Sequence, residues 1–317
     1  MKPIIPPIDK SLLLKELTKE RFIRDTNYGS NEIYAVSNND SPNVLREIGR
    51  LREISFRASG GGTGLDCDLD SFDTDKICYK QLIVWNATDK EIVGGYRFIL
   101  IRDAEKDEKG IPKLSTSHYF RFSNKFLNEY APYTIELGRS FVQPMYQPSA
   151  GNRKGLFSLD NLWDGLAAVS VDHPDIKYLF GKMTMYKDYN KHARDMLLFF
   201  LDLYFPDTEK LVSPFHPLGH ETDISEFKAL FKKNMPYKEA HAILNQSVRK
   251  LGENIPPLFN SYMNISPSMK TFGTADNHDF GGVEETGILV TIAHIYPSKK
   301  ERHIVSYVPA DRYGKKK

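Results

Sequence analysis

Apolar positions along the chain switch between a spacing of two and a spacing of three to four, and each switch marks an element. Glu32–Val36 reads as a short strand. Ser41-Pro42 supplies a cap and then proline at the first helical position, and Val44, Leu45, Ile48 and Leu51 keep helical spacing to about Arg57. Gln81–Asn86 and Ile92–Ile101 predict two antiparallel strands joined by a turn around Thr88-Asp89. Gly94-Gly95 marks a bulge or a close backbone approach in the second of them. Thr134, Ile135, Leu137, Phe141 and Val142 predict a strand in the middle of a sheet. A helix capped by Ser158 or Asp160 runs through Leu162, Leu166 and Val169, followed by a strand at Tyr178–Met185 and a helix through Ala193, Met196, Phe200 and Tyr204. Ile224–Lys233 and Tyr237–Leu251 predict two more helices, and Ile288–His294 with His303–Val308 a closing hairpin.

This order predicts an α/β domain with a mixed sheet. Residues 28–190 form its core, and residues 191–317 add helices and the hairpin that complete it. Residues 1–27 read as an arm, extended at Pro3, Pro6 and Pro7, with a short amphipathic helix over Ser11–Phe22. That helix docks on its own domain or, through Lys10, Lys15 and Lys19, touches a membrane surface. Gly60, Gly61, Gly62 and Gly64 make a loop that is a surface linker or a mobile cover over a site; no Gly-Lys-Ser/Thr follows, so it is not a P-loop.

Charge changes the picture inside the central strand. Glu136 and Arg139 sit among apolar residues there, and ionised groups so placed are costly unless each has a partner. A structural ion pair at a strand end would explain them. Arg97 closes a second apolar strand, however, and Asp70 and Asp73 precede it in an acidic stretch, so several charges converge on one sheet. The chain of 317 residues has a formal net charge of only +2, which makes no demand for nucleic acid. Cys67 and Cys78 are too few for a disulfide framework or a zinc site and suit a reducing cytoplasm. No secretory h-region and no run of roughly 20 apolar residues occurs, so the expectation is a soluble cytoplasmic protein, with peripheral contact at the inner face of the membrane left open.

The nine histidines are scattered and no G-x-S-x-G elbow occurs, which fits a nucleophilic triad poorly. His216 and His220 are separated by Pro217 and Gly219, against a helix presenting both, so no metal is expected. What remains is a cluster of carboxylates and arginines. It suits direct transfer, in which the protein orients two substrates and a carboxylate takes a proton from the attacking group. Arg153 and Lys154, in a glycine-containing loop before a helix, could hold a phosphate or be an ordinary solvated loop.

Four short motifs occur in order: Arg52-Glu-Ile-Ser-Phe56, Asp70-Ser-Phe-Asp73, Gly94-Gly-Tyr-Arg97 and Glu136-Leu-Gly-Arg139. The set resembles the R-x-x-x-F, D-x-x-D, G-x-x-R and E-x-x-R pattern of the acyl-homoserine-lactone synthases and of the ornithine-lipid, hemolysin-like N-acyltransferases of the GNAT superfamily. The likeness covers roughly residues 32–292. It implies a GNAT-like, mainly antiparallel central sheet flanked by helices. It implies no tightly bound cofactor, an acyl-phosphopantetheine co-substrate on acyl carrier protein, and transfer of the acyl chain to the amino group of a small amino acid, glycine or ornithine, as an early step toward an aminolipid. Glycine is favoured because Met263–Pro267 departs from the segment that follows the tyrosine in the lipid-forming branch. The resemblance also implies roles. Glu136 would take the proton, Asp70 and Asp73 would hold the ammonium or brace Arg97, and Arg97 and Arg139 would keep the carboxylates ionised. Arg52, Phe56, Ser140, Arg153, Lys154 and Trp163 would contact substrate. Arg153 and Lys154 would join Lys182, Lys187, Lys191 and Arg194 in a basic face toward the acidic carrier. The rivals are a non-enzymatic acyl- or membrane-binding protein and an acetyl-CoA-dependent GNAT enzyme. The second would want a Q/R-x-x-G-x-G/A loop where only Asn152–Gly155 stands.

Overall fold

In the computed structural model, which describes residues 1–147, 151, 155–232 and 234–309, the chain opens with helix α1 (Lys10–Glu16), strands β1 (Phe22–Asp25) and β2 (Glu32–Val36), and helix α2 (Pro42–Ala58). The one-turn helix α3 (Ser71–Thr74) leads to the hairpin of β3 (Lys80–Asn86) and β4 (Glu91–Leu100), then to β5 (Phe120–Phe122) and β6 (Thr134–Val142). Helix α4 (Ser158–Asp172), strand β7 (Tyr178–Met185) and helix α5 (Lys191–Tyr204) follow. After β8 (Val212–Pro214) come helices α6 (Ser225–Leu230), α7 (Tyr237–Lys250) and α8 (Pro257–Met263). The hairpin of β9 (Lys270–Asn277) and β10 (Val283–Thr291) precedes helix α9 (Pro297–His303).

Eight strands form one sheet in the order β1-β2-β3-β4-β6-β7-β10-β9, antiparallel throughout except for β6 and β7, which run parallel. Alternation in β3 shows why the sheet is covered on both faces. Leu82 and Val84 pack with Leu162 and Leu166 of α4, whereas Ile83 and Trp85 pack with Val44, Ile48 and Leu51 of α2. Burying each such side chain stabilises the fold by about 1.5–3 kcal/mol, and burial on both faces is why β3 reads as a nearly continuous apolar run. Gly165 lets α4 approach closely: a Cβ there would lie 2.5 Å from Leu82 Cδ2.

Gly94 and Gly95 mark both a bulge and a close approach. A Cβ on Gly94 would stand 2.4 Å from the Phe141 carbonyl oxygen and 3.1 Å from Val142 Cα, both main-chain atoms that cannot swing aside. Gly94→Ala is therefore expected to destabilise the protein by about 1–3 kcal/mol in urea unfolding. An unchanged midpoint would mean that β4 and β6 sit farther apart than described here.

The arm is docked. Leu13 of α1 is buried against α2, and the Glu16 carboxylate accepts from the Asn43 and Val44 main-chain N–H groups at 3.1 and 2.8 Å. The cap of α2 thus comes from the arm; Ser41 makes no side-chain cap bond. The amphipathic helix expected over Ser11–Phe22 stops at Glu16, because Phe22–Asp25 is taken up as an edge strand on β2. The closing hairpin is also displaced. Lys270–Asn277 and Val283–Thr291 form it, and His303–Val308 is no strand: Pro297 starts α9, whose His303 Nδ1 lies 2.7 Å from Asp164 on α4. Helix α6 is shorter than expected, ending at Leu230, and Lys233 lies outside the described residues. Among the described residues no helix is long and apolar enough to cross a membrane.

Candidate active site

Strands β6 and β7 pair over three rungs only, Thr134 with Tyr178, Ile135 with Leu179 and Glu136 with Phe180. Beyond Glu136 each strand keeps its other neighbour, β4 or β10, and the two part. The wedge between them is a cavity of about 940 Å³. Six consecutive residues of β6, Leu137–Val142, line it, and alternate residues of β7, Lys182 and Thr184, line the opposite side. Within β6 the ladder takes a step: Gly95 and Arg97 of β4 face Phe141 and Gly138, so β6 carries one extra residue. Arg139 occupies that bulge with φ +50°, a left-handed conformation that costs a non-glycine residue about 1–2 kcal/mol.

Part of the wall is apolar, with Val142, Leu156, Leu159, Pro257, Leu258 and Tyr262. The rest is charged. Asp70 and Asp73 form a capping box around α3, the Asp70 carboxylate accepting from the Asp73 N–H and the reverse, which is the physical content of their spacing. Arg97 donates to both Asp70 oxygens at 2.7 and 2.8 Å and to Asp73 at 3.2 Å. Arg52, fully buried, donates to Asp73 at 3.1 Å. Burial alone would push the Asp73 carboxyl up, but Arg52, then Arg97 and Arg139, hold it well below the usual carboxylate range. Arg139 lies 3.2 Å from Asp68 and 3.6 Å from Asp70, with its guanidinium over the Phe280 ring. Asp68 lines the cavity, is buried, and has no hydrogen bond to either carboxylate oxygen; burial pushes its carboxyl up, against the pull of Arg139.

Glu136 stands apart from the arginines. Its side chain is fully buried and accepts from the Tyr79 hydroxyl, the Ser115 hydroxyl at 3.2 Å and the Thr116 N–H at 3.0 Å. Burial, and then Glu136 itself, push the Tyr79 phenol well above its ordinary value, so it remains a donor. Glu136 is not on the cavity wall, whereas Ser115 is. Among the described residues, Glu136 is therefore connected to the cavity only through its bond from the Ser115 hydroxyl.

The other expected residues divide. Phe56, Ser140, Asp70, Arg97 and Arg139 line the cavity. Arg52 and Asp73 lie behind it as braces of Arg97. Trp163 is not on its wall: its indole N–H donates to Ser261 at 3.1 Å and its ring meets Tyr262 edge-on, so only Tyr262 reaches the cavity. Arg153 and Lys154 lie outside the described residues. The basic face loses two members, because Lys182 turns into the cavity and Arg194 is buried against Asp195 and Glu284. The glycine loop is wall rather than free cover. Glu53 accepts from Thr63 N–H, the Thr63 hydroxyl and Gly64 N–H at 2.8–3.1 Å, and Thr63 and Leu65 line the cavity. Sequence reasoning passed over Asp68, Ser115, Tyr79 and Glu285 and misread Lys182. For Lys182 and Glu285 the signal was the one that singled out Glu136, a charge inside an apolar strand.

Residues 51–154 match the acetyltransferase (GNAT) domain family, in agreement with the expected fold. Over 308 residues the chain is 54% identical to a glycine N(alpha)-acyltransferase of Bacteroides thetaiotaomicron, covering 97% of this chain and 91% of that one. It is likewise 54% identical over 308 residues to a glycine N(alpha)-acyltransferase of Phocaeicola vulgatus, covering 97% and 94%. Among solved structures, a CoA-dependent acyl-homoserine lactone synthase is 20% identical, with a TM-score of 0.31 over 49% of this chain and 67% of that one.

Proposed function

The chain belongs to the glycine N-acyltransferase family, and from that premise we propose that it moves a fatty acyl group from a thioester on acyl carrier protein to the amino group of glycine. The product, an N-acylglycine, would enter aminolipid synthesis. The observation that carries this reading is the wedge between β6 and β7, which joins an apolar wall to a charged one in a single cavity of about 940 Å³. That volume is at the upper end for a small-molecule site and leaves room for an acyl chain beside the amino acid.

The donor's phosphopantetheine arm carries amide groups, and β6 past Glu136 has no ladder partner on its β7 side. An extended arm laid there would take up those main-chain groups as an added strand does. The thioester carbonyl would then sit near the bulge at Arg139–Ser140, where main-chain N–H groups outside the β4 ladder could polarise it. The glycine nitrogen attacks the carbonyl carbon, the C–S bond breaks, and the thiolate leaves with a proton. The glycine ammonium gives up two protons in all: one passes through Ser115 to Glu136 and frees the amine to attack, and the other goes from the acylated nitrogen to the thiolate. Asp70, one third exposed at the cavity wall, would hold the ammonium before attack; Asp73 braces Arg97. An acyl carrier protein donor implies a cytoplasmic reaction, and an acylated product implies peripheral contact with the membrane that receives it.

Expression in a bacterium without aminolipids should produce new N-acylglycines by mass spectrometry. The purified protein should use acyl carrier protein thioesters with a higher kcat/KM than the matching CoA thioesters. Acylation of another amino acid in place of glycine would overturn the acceptor, and a preference for CoA would overturn the carrier.

A further inference from the structure

Facing the aspartate–arginine cluster is a second charged group that the reaction outlined above does not use. Thr184 of β7 stands opposite Glu285 of β10, and Lys182 and Asn277 lie two residues away on the same face of the sheet. Lys182 Nζ lies 2.6 Å from Glu285 Oε1; the same carboxylate accepts from Thr184 Oγ1 at 2.8 Å and from Asn277 Nδ2 at 3.0 Å. Asn277 Oδ1 in turn accepts from the Tyr119 hydroxyl at 2.8 Å, and the Tyr119 ring lies 4.7 Å from the Lys182 ammonium. All five residues line the cavity.

On the reading that the acceptor is glycine, we infer that Lys182 is the cation that docks its α-carboxylate. Glu285 is filled by three donors, whereas an ammonium has three N–H groups and Glu285 is the only carboxylate among the described residues that Lys182 pairs with. Arg97 and Arg139 are also on the wall, but Asp70 and Asp73 already pair with the first and Asp68 and Asp70 face the second, and these would repel a further carboxylate. Burial pushes the Lys182 ammonium below its ordinary value against the pull of Glu285, with smaller help from the positive charges of Arg139 and Arg97. An anion between the three cations relieves that repulsion. Glu285, Thr184, Asn277 and Tyr119 are positioning residues that keep the ammonium aimed.

The test compares glycine with glycinamide, which keeps the amine and lacks the carboxylate, using the full chain and a saturating acyl carrier protein thioester. The wild type should favour glycine. In Lys182→Met the ratio of kcat/KM for glycine to that for glycinamide should fall by about 10- to 100-fold, through a raised KM for glycine, with the KM for the acyl donor unchanged. Because the ratio is taken within one variant, partial loss of folded protein cancels; if Lys182→Met does not fold, Lys182→Gln keeps a donor for Glu285 and should show the same fall. An unchanged ratio, or a raised KM for the donor in place of glycine, overturns the inference, as does a wild type that uses both amines equally. A wild type that acylates neither amine rejects the proposed reaction instead, and the inference falls with it.

Discussion

Glu136→Gln is expected to lower kcat by about 10²–10⁴-fold while the KM for the acyl donor holds, the usual scale for loss of a proton acceptor. The ammonium form of an amino acid cannot attack a carbonyl, so a group in the site must accept its proton. Glu136 is sealed from the cavity yet reaches it through the Ser115 hydroxyl, 3.2 Å away. Glutamine keeps the shape but turns an amide N–H₂ toward groups that all donate: Tyr79, Ser115 and the Thr116 N–H. One mismatched pair costs about 1–3 kcal/mol of stability, so a melting curve must accompany the rate. Ser115→Ala should lower turnover less, because it leaves Glu136 two donors and a water can stand in for the hydroxyl. A folded Glu136→Gln with near wild-type turnover, and Asp68→Asn as the dead variant, would move the proton to Asp68. That residue is the strongest rival, a buried carboxyl on the cavity wall with no hydrogen bond to either oxygen.

Much of this site could be read along the chain because its residues break local rules. A glutamate and an arginine in the apolar run Thr134–Val142 needed partners, and Asp70 and Asp73 read as an acidic stretch on hand to supply them, although the helical turn that their capping-box spacing builds went unread. The side to which each residue points was not legible. Glu136 stands opposite Ile99 and bonds to Tyr79, while the extra residue at Arg139 turns the rest of β6 toward the cavity. A one-residue bulge has no signature beyond the glycine beside it. The cap of α2 was equally hidden, because Glu16 reaches it from another segment and outcompetes the local Ser41. Lys182 and Arg194 read as surface cations, since their partners Glu285 and Glu284 lie about a hundred residues farther along. His303–Val308 alternates like a strand, but Val305 and Val308 are exposed, and only His303 and Tyr307, four residues apart, are buried. Period two in so short a segment does not separate a strand from a turn.

Asp73→Asn should be the most destabilising single change in the cluster, about 3–5 kcal/mol at neutral pH, against a total of about 5–15 kcal/mol for an ordinary domain. Asp73 is fully buried between Arg52 and Arg97, and Arg52 has no other carboxylate partner among the described residues. Removing the charge leaves a buried guanidinium with no counter-ion, and asparagine returns only one acceptor oxygen. The effect carries a pH signature. Since the folded-state value of Asp73 is depressed, its contribution is fully present above the unfolded carboxylate value near about 4 and is lost as pH falls toward the much lower folded value. Urea unfolding of wild type and Asp73→Asn should therefore show a wide gap at pH 7 that narrows steadily below about pH 4. The wild type moves toward the variant, because protonation does to Asp73 what the substitution does permanently. A gap that stays constant from pH 7 to pH 3 would mean that Asp73 contributes shape rather than charge, and that the arginines are balanced by Asp68 and Asp70 alone.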